Sequence, residues 1–562
     1  MQDPKEVGAA LEQIAALLRF LGESKFKIEA YERGAQVVRT VDGELASLIE
    51  RDSLRDLQGI GDALSRQIQE LWNSGSSPLL ERLRSEAPPG AAELMRAPGL
   101  TPRRIRLLSE ALGVDSIEAL RKACAEQRVR AIPGFGAKTE QKLLQACDAL
   151  EPSSERTPPP TLLARGLALS ELLGEKLSQA GLEWSVAGGL RRAEETLAQL
   201  DLAVAGELDA ALQGLSPLRQ VLRVERAGSA AKLFLSDGVA VVLHSGPPAR
   251  WGNVLVTATG TPEHVAALRE RAQARGFSLD EASFDSEAAL YRAVGLPLVP
   301  PELRYARSDL ELVERQGCAG LLDLADIRGF VHCHTTYSDG KESVLEMARA
   351  AHAQGMQYLT ITDHSPSAHY ARGVALDRLK AQWDEIAAAE ALVPIRIFRG
   401  TESDILRDGS LDYPDAVLEQ LDVVIASIHA RHRLSREDMT RRLEHALALP
   451  LFKIWGHGLG RILNHRDPID CDVPAVLDAL ARGGGAVEIN ADPHRLDLPP
   501  AWIPEARERG IPFVVSVDAH SSRGFRVLPL GVKMARRGAL TASEVLNTLS
   551  ADDFARRVRP TG

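Results

Sequence analysis

Histidine and acidic residues recur near the ends of short apolar runs in the C-terminal part of the chain. His332 and His334 stand at alternate positions of one run, which places both imidazoles on the same side of a β-strand. Nitrogen and oxygen donors of this kind bind zinc, manganese and iron. Nine such donors exceed what one ion can use, so the sequence predicts a multinuclear metal centre made of His332, His334, Asp339, His364, Glu402, His429, His457, Asp518 and His520.

Seven short β-rich runs, separated by helical stretches, carry most of these donors. This alternation predicts a parallel barrel, in which the carboxyl ends of the strands form the face that normally carries chemistry. Six of the seven runs end in a candidate ligand. The predicted strands span residues 330–334, 358–364, 396–404, 422–429, 452–457, 486–490 and 512–520.

The predicted metal centre indicates a reaction class. Clustered divalent ions lower the pKa of a water molecule and stabilise a leaving alkoxide, so phosphate ester hydrolysis is the predicted reaction. Arg433 and Arg461 are candidate phosphate clamps, and His432 and His494 are the remaining histidines best placed to contact a substrate.

The rest of the chain has a different composition. None of the 14 histidines precedes His244, and residues 151–160 form a proline-rich stretch that predicts a stiff linker. The length of 562 residues predicts several domains, and the net charge of −10 excludes a uniformly basic nucleic-acid coat. The start lacks a signal-peptide pattern, and no apolar run reaches the ~18 residues of a membrane span. Five cysteines without paired spacing favour the reducing cytoplasm.

Three glycine-containing turns in the first 150 residues each precede a helical stretch. One such turn is most often ordinary helix-cap chemistry, but three copies beside several arginines and lysines favour DNA binding. Exposed amides at a helix start bind phosphate without reading a base. The pattern resembles the helix-hairpin-helix motif, and the residues expected at the DNA backbone are Gly59, Gly61, Gly99, Gly134, Gly136 and Lys138.

The metal-type residues stand in motifs that resemble the polymerase and histidinol phosphatase (PHP) domain. The motifs are His332-Cys333-His334, Ser338-Asp339-Gly340, Asp363-His364-Ser365, Thr401-Glu402, Ile428-His429, Gly456-His457 and Asp518-Ala519-His520-Ser521. The resemblance implies a distorted seven-stranded barrel with three metal ions. It assigns one ion to His332, His334, Glu402 and Asp518, a second to Asp339, His364 and His520, and a third to Glu402, His429 and His457.

The middle of the chain resembles a different enzyme. Residues 186–201 are similar to the nucleotidyltransferase palm of family X DNA polymerases, and residues 296–304 match the same family. With the helix-hairpin-helix turns before them, they make the whole chain similar to the bacterial family X polymerases that carry a C-terminal PHP domain. The resemblance implies three catalytic aspartates, which hold the two ions of phosphoryl transfer.

This chain departs from that pattern at the residues that should bind the two metal ions. A neutral amide or a valine cannot supply a carboxylate's charge to a metal ion, so we predict a polymerase site that has lost its activity. Gln67 stands where some members carry a lysine for lyase chemistry, which excludes a Schiff base there. The degenerate site retains Asp201, Arg191 and Arg192 but holds Gln199 and Val242 at the other two aspartate positions and Gly189 at a phosphate-contacting serine.

The predicted fold is therefore multidomain. It has an all-α helix-hairpin-helix N-terminal region, an α+β nucleotidyltransferase-like palm and thumb, and a C-terminal distorted (β/α)7 PHP barrel. The predicted domains are a helical DNA-binding domain at 1–80, a fingers-like helix-hairpin-helix domain at 81–150, a degenerate palm at 161–245, a thumb-like domain at 246–315 and the PHP domain at 328–562.

The function predicted from these features is metal-dependent hydrolysis of DNA phosphate esters in repair, as a 3′-5′ exonuclease or in 3′-end processing. The expected partners are gapped, nicked or 3′-recessed duplex DNA and manganese, zinc or iron, and the expected state is a cytoplasmic monomer; magnesium is required only if the polymerase is active. Three alternatives stay open: an active family X polymerase with an associated exonuclease in base-excision or gap repair, a small-molecule phosphatase, and a DNA-binding scaffold with structural metals.

Overall fold

The chain forms two compact units, Met1–Thr157 and Pro158–Gly562, in the computed structural model. The finer division into five domains stays a prediction. The structure describes residues 4–559 except 41–44, 51–52, 58–59, 75–76, 89, 96–99, 151–159, 217, 219–220, 236–238, 319 and 431–433.

The first unit is helical wherever it is described. Apolar side chains at helical spacing, such as Leu11, Ile14 and Leu18, are fully buried in its core. The helices are α1 (Pro4–Leu21), α2 (Lys25–Thr40), α3 (Leu45–Glu50), α4 (Asp62–Ser74), α5 (Pro78–Glu86), α6 (Ala91–Leu94), α7 (Pro102–Leu112), α8 (Ile117–Ala125) and α9 (Ala137–Leu150).

The second unit begins with a five-stranded mixed sheet of order β2-β4-β7-β6-β5. Its pairs are antiparallel except β4 with β7, which are parallel. The short pair β1 (Thr161–Leu162) and β3 (Thr196–Leu197) lies beside it. The other elements are α10 (Leu163–Gln179), β2 (Glu183–Ala187), α11 (Gly188–Arg191), β4 (Leu200–Ala205), α12 (Leu208–Leu215), β5 (Val221–Ala227), β6 (Ala230–Leu235) and β7 (Ala240–Gly246).

Four helices follow this sheet and share a small apolar core that includes Leu268, Leu290 and Val294. Within that core the imidazole of His264 lies 2.9 Å from the Tyr291 hydroxyl. The helices are α13 (Trp251–Thr259), α14 (Pro262–Ala274), α15 (Glu287–Ala293) and α16 (Arg307–Gln316).

The remainder forms a seven-stranded parallel barrel of order β14-β13-β12-β11-β10-β9-β8. A parallel bridge between Cys333 and Ala519 nearly closes it between the first and last strands. The elements are β8 (Gly329–Cys333), α17 (Val344–Ala353), β9 (Tyr358–Ile361), α18 (Leu376–Leu392), β10 (Arg396–Asp404), α19 (Asp415–Leu418), β11 (Val423–Ser427), α20 (Arg436–Leu447), β12 (Lys453–Trp455), α21 (Val473–Arg482), β13 (Ala486–Asn490), α22 (Ile503–Glu508), β14 (Phe513–Ser516), α23 (Leu528–Arg537) and α24 (Ala551–Val558).

The barrel strands are buried along almost their entire length, as expected for a parallel sheet covered by helices. The fold class predicted from the sequence is thus confirmed, and β10 and β13 have the predicted bounds. The strands β9, β11, β12 and β14 are shorter than predicted. β9 ends at Ile361 rather than 364, and β14 ends at Ser516 rather than 520. The loops after the strands therefore carry several candidate ligands. Across the described residues, no helix combines the length and apolar character needed to cross a bilayer.

A largely buried ion pair fastens the palm-like sheet to the barrel. Glu195, just before β3, accepts hydrogen bonds from Arg537 of α23 and from Arg461, with 3.3 Å to the latter. Arg537 also donates to the Ala193 carbonyl at 3.2 Å. Burial alone would raise the pKa of Glu195, but Arg537 and Arg461 outweigh it and lower the pKa. The pair therefore favours the folded state at neutral pH.

We expect Glu195→Ala to lower the free energy of unfolding by about 3 kcal/mol at pH 7, since it leaves two largely buried guanidinium groups without their carboxylate partner. Because the pKa of Glu195 is lower in the folded chain, this stabilisation is present above the unfolded pKa of about 4.3 and is lost as the pH falls through the folded value. Urea unfolding at pH 7 and pH 4 measures it. Glu171→Ala, at an exposed position of α10, is the control, and an equal effect of both variants would contradict the pair's role.

Candidate metal centre

The barrel brings all nine predicted ligands together at the carboxyl ends of its strands. Three groups have donor atoms that all lie within 4.8 Å of one another. Glu402, at the end of β10, joins them because its carboxylate lies near five imidazoles. The groups are His334, Asp339, His364 and His520; His332, His334 and Asp518; and His364, Glu402 and His429.

The distances within the groups suit shared ions. Two ligands about 2.1 Å from one tetrahedral ion are about 3.4 Å apart. Asp518 Oδ1 lies 3.6 Å from His332 Nε2 and 3.3 Å from His334 Nε2. Asp339 lies 3.6 Å from His364 Nε2 and 3.4 Å from His520 Nε2. These spacings match donors that face a common ion.

The third group centres on the carboxylate of Glu402 and uses both of its oxygens. Its Oε1 lies 3.1 Å from His429 Nε2 and 2.8 Å from His457 Nε2, while Oε2 lies 3.0 Å from His364 Nδ1. His334 and His364 thus each stand between two groups. The assignment of single residues to single ions implied by the family resemblance stays a prediction, because the two histidines face both neighbours.

Several imidazole nitrogens in the cluster are buried and have no hydrogen-bond partner among the described residues. Buried polar atoms are nearly always hydrogen-bonded or bound to a metal. The unpartnered atoms fit divalent ions better than any packing role, because lone pairs of neutral imidazoles are the usual metal donors. They are His332 Nε2, both ring nitrogens of His334, His364 Nδ1 and His457 Nδ1.

The electrostatics of the cluster favour anionic carboxylates and a neutral central imidazole. Burial alone would raise the pKa of Glu402, but His429 and His364 outweigh it and hold the pKa well below the ordinary value. Burial lowers the pKa of His334 to about 4, and the neighbouring His520 acts in the same direction. A carboxylate anion and a neutral imidazole are the forms that bind metal ions. At His364, burial alone would lower the pKa, but Glu402 and Asp339 outweigh it and raise the pKa to about 10, so an ion bound there would displace a proton. Acidic neighbours also raise the pKa of His332, His429 and His520.

The backbone is strained where it presents some of these side chains. His332, His457 and Asp518 adopt positive φ angles of 68°, 27° and 46°. A register shift between Phe330 and Cys333 accompanies the first of them, so β8 bulges where a regular strand was predicted. Positive φ is costly for non-glycine residues and clusters at functional sites, which supports a functional role for this cluster.

A buried glutamate that the sequence analysis missed holds two of the candidate ligands, His332 and His457, in place. Glu488 of β13 is fully buried; its Oε1 lies 2.6 Å from His332 Nδ1, and its Oε2 accepts from the His457 amide. Asn490 donates to Glu488 and, at 3.1 Å, to Asp518. A charged residue in the otherwise apolar run of β13 was the signal, since buried charges persist mainly when paired.

Two further carboxylates orient neighbouring parts of the site. Asp404 lies 2.5 Å from His429 Nδ1, on the ring edge opposite Glu402. Asp363 accepts from the backbone and hydroxyl of Thr335 and from Ser338, which directly precedes Asp339. Such partners fix the tautomer and direction of ligands.

We expect Glu488→Gln to lower metal affinity by about 10- to 100-fold, because the His332 ring loses the anion that orients it and raises its basicity. Metal titration followed by elemental analysis measures this. Glu505→Gln on α22 is the control, and unchanged affinity in Glu488→Gln would contradict the orienting role.

The structure also locates the predicted substrate-contacting residues. Arg461 is engaged elsewhere: its guanidinium donates to the carbonyls of Arg495 and Leu496 and to Glu195, so it is not a phosphate clamp in this arrangement. His494 is exposed. Arg433 and His432 lie outside the described residues.

The predicted polymerase site retains a single carboxylate of its three. The parallel register of β4 and β7 pairs Asp201 with Val242, so the two positions are adjacent as expected. Asp201 Oδ1 accepts from Gln199 Nε2 at 3.1 Å and lies 2.9 Å from His244 Nε2. Asp201 belongs to no group of three metal-type donors in the described part of the chain. His244, which sequence reasoning overlooked, contacts the same Asp201 oxygen as Gln199.

The two arginines of this site are paired within the protein. Arg191 makes two hydrogen bonds to Glu287, of 2.7 and 2.8 Å, and Arg192 bonds to Glu194. A Cβ atom at Gly189 would lie 2.3 Å from Glu194 Oε2, so a serine there would require the Glu194 side chain to move. The cationic groups expected for nucleotide phosphates are thus neutralised by carboxylates.

Two of the predicted helix-hairpin-helix turns are described in part. Gly61 and Gly136 directly precede α4 and α9, and a Cβ atom at either position would meet no atom within 4 Å. Gly134 adopts a φ of 91°, which glycine tolerates best, and Lys138 is exposed. The amides at these helix starts are open to a ligand from the side of the glycines. Gly59 and Gly99 lie outside the described residues.

Comparisons with family models identify the parts of the chain. The helix-hairpin-helix domain model matches residues 3–77, the SAM-like helix-hairpin-helix tandem 91–149, the DNA polymerase beta thumb 254–305 and the PHP domain 331–492. Together with the barrel and its donors, these matches define a protein that joins DNA-binding and polymerase-type domains to a PHP domain.

Comparison with curated proteins gives the particular family. The DNA polymerase/3′-5′ exonuclease PolX of Bacillus subtilis is 34% identical over 567 residues, 98% of either chain. This chain therefore belongs to the bacterial PolX family. A probable phosphatase of Thermoanaerobacter sp. is 30% identical over 229 residues, 39% of this chain and 89% of its own. A probable phosphatase of Caldanaerobacter subterraneus is 31% identical over 201 residues, 34% of this chain and 74% of its own.

Proposed function

We propose that this chain is a metal-dependent 3′-5′ exonuclease or 3′-end-processing enzyme of DNA repair, with the PHP barrel as its active site. One observation carries the proposal: a cluster of nine metal-type donors, five of them imidazoles around the buried Glu402, lies in a chain that also carries helix-hairpin-helix domains. The name of the Bacillus subtilis relative includes both a DNA polymerase and a 3′-5′ exonuclease.

The nine side chains are the proposed ligands of manganese, zinc or iron, in a centre for which we propose three ions. Ions bound there would lower the pKa of a water molecule and stabilise the leaving oxygen of a phosphate ester. The chain's own contribution is to orient the ligands through Glu488 and Asp404 and to keep His334 neutral. The DNA enters as a gapped, nicked or 3′-recessed duplex bound by the glycine turns, and the cytoplasmic, monomeric state stays a prediction.

We further propose that the palm-like sheet has lost polymerase activity and serves as a DNA-binding and supporting domain. Asp201 faces His244 and Gln199 rather than two more carboxylates, and Arg191 and Arg192 are bound by glutamates. Phosphoryl transfer with two ions requires carboxylates on both, so the remaining aspartate is insufficient.

His334→Ala and Asp518→Ala are expected to abolish manganese-dependent shortening of a 5′-labelled primer in a recessed duplex, because each removes a donor shared by the cluster. The matched controls are His352→Ala and Asp377→Ala, at exposed positions of α17 and α18. Undiminished trimming in both cluster variants would refute the assignment of the active site.

Small-molecule phosphatase activity is the second candidate, because probable phosphatases resemble the barrel alone. The same protein preparations can be tested on p-nitrophenyl phosphate. Efficient hydrolysis of this ester with no cleavage of DNA would favour the phosphatase.

A further inference from the structure

An exposed aromatic side chain stands at the mouth of the metal-type cluster. Tyr370 is 68% exposed, yet its ring makes edge-on contacts with two of the proposed ligands. The centroid lies 5.9 Å from that of His364 and 6.1 Å from that of His429. A large aromatic ring left mostly in water beside a polar site is poorly explained by packing alone.

The backbone around Tyr370 is fixed although the ring is exposed. Tyr370 lies in a single 3₁₀ turn, His369–Ala371, whose neighbour Ala368 is buried. The Val374 amide donates to the His364 carbonyl at 2.7 Å, which ties the turn to the cluster. A Cβ atom at Gly373 would lie 1.9 Å from the Ser365 carbonyl oxygen, so only glycine allows this close approach. The ring is therefore presented on a rigid support.

An arginine lies beside a different member of the same cluster, Asp518. Arg495 Nε is 3.9 Å from Asp518 Oδ2, and its Nη1 is buried without a hydrogen-bond partner among the described residues. An unpartnered guanidinium nitrogen beside metal-type donors suits an anionic oxygen of a substrate.

We propose that Tyr370 and Arg495 form the subsite for the terminal nucleotide of a DNA strand, a proposal that rests on the proposed nuclease function. The Tyr370 ring stacks on the terminal base, and Arg495 binds an oxygen of the scissile phosphate. Stacking accepts any base because every base has a π-face, which suits an enzyme that removes nucleotides without sequence preference. A phosphate ester without a base would use Arg495 alone.

Stacking of Tyr370 on the terminal base is tested with two single-stranded oligonucleotides that differ only at the 3′ end. One has a normal nucleotide there, and the other has an abasic tetrahydrofuran residue. Tyr370→Ala should lower kcat/KM about tenfold on the normal end and leave the abasic end within about twofold of wild type. Tyr370→Phe should retain activity on both, because it keeps the ring. Leu392→Ala, at an exposed end of α18, is the control.

An equal loss on both ends, or no loss on either, would overturn the stacking role. A wild-type protein that cleaves neither oligonucleotide would instead contradict the proposed function. Binding gives a readout apart from cleavage: in EDTA, the fluorescence of a 3′-terminal 2-aminopurine should be quenched by wild type and by Tyr370→Phe. Equal quenching by Tyr370→Ala would also count against the subsite.

The role proposed for Arg495 predicts a different dependence of kcat/KM on the 3′ end. Arg495→Met should lower kcat/KM about 100-fold on both the normal and the abasic end, since both carry the scissile phosphate, and Arg495→Lys should recover part of it. Metal content should stay at the wild-type level. Loss of metal in parallel with activity would show that Arg495 only supports Asp518, and unchanged activity would exclude it from the subsite. Arg482→Met, at an exposed position of α21, is the control.

Discussion

Glu402→Gln is expected to lower manganese-dependent primer shortening by at least about a thousandfold. Glu402 is 1% exposed, and its two oxygens face His332, His334, His364, His429 and His457 at 2.8 to 3.5 Å. A neutral amide removes the anion that these groups share, so ions proposed for more than one position lose a ligand at once. Rates are measured on a recessed duplex at saturating manganese.

The control for this substitution is Glu419→Gln, at an exposed position after α19. Thermal unfolding shows whether the Glu402 variant still folds, and elemental analysis gives its metal content. Wild-type trimming by a folded Glu402→Gln protein would contradict a metal centre organised around this carboxylate.

Primer extension is expected to be at least about a thousandfold slower than that of the Bacillus subtilis relative, whose name records a DNA polymerase. Val242 lies beside Asp201 in the parallel register, where it offers no metal donor. Asp201→Ala should then leave the residual extension unchanged. The measurement is extension of a gapped primer with magnesium and nucleotides, in protein whose barrel carries Asp518→Ala to prevent trimming.

Extension at the relative's rate that disappears in Asp201→Ala would show that the palm-like sheet is a working polymerase. It would also mean that His244 leaves Asp201 when nucleotide and ions bind.

Much of the barrel was predictable because its strands are short, apolar and separated by helices. The order of the seven strands follows the chain, and each donor lies in a strand or in the loop that follows one. The exact strand ends were not predictable, since the bulge at His332 and the loops that carry His364 and His520 depend on contacts between strands. The hydrophobic pattern of a sequence indicates that a strand is present, but it does not show at which residue the strand stops pairing with its neighbours.

The supporting residues of the site were harder to predict than the ligands. Glu488 contacts His332, from which it is separated by 156 positions in the sequence, and no local motif links the two residues. Arg461 was a reasonable phosphate clamp by its place after His457, but its partner Glu195 lies in another part of the second unit. Arg495 and Tyr370 gave no sequence signal, because an arginine and a tyrosine in polar loops are common on any surface.

The division of labour between the two sites can be tested on one gel. A labelled primer on a gapped duplex is incubated with the full-length protein, manganese and all four nucleotides. A primer that shortens, and that stays intact with Asp518→Ala, is the result predicted by a functional PHP barrel beside a polymerase site with one carboxylate. A primer that lengthens in both proteins would contradict the account.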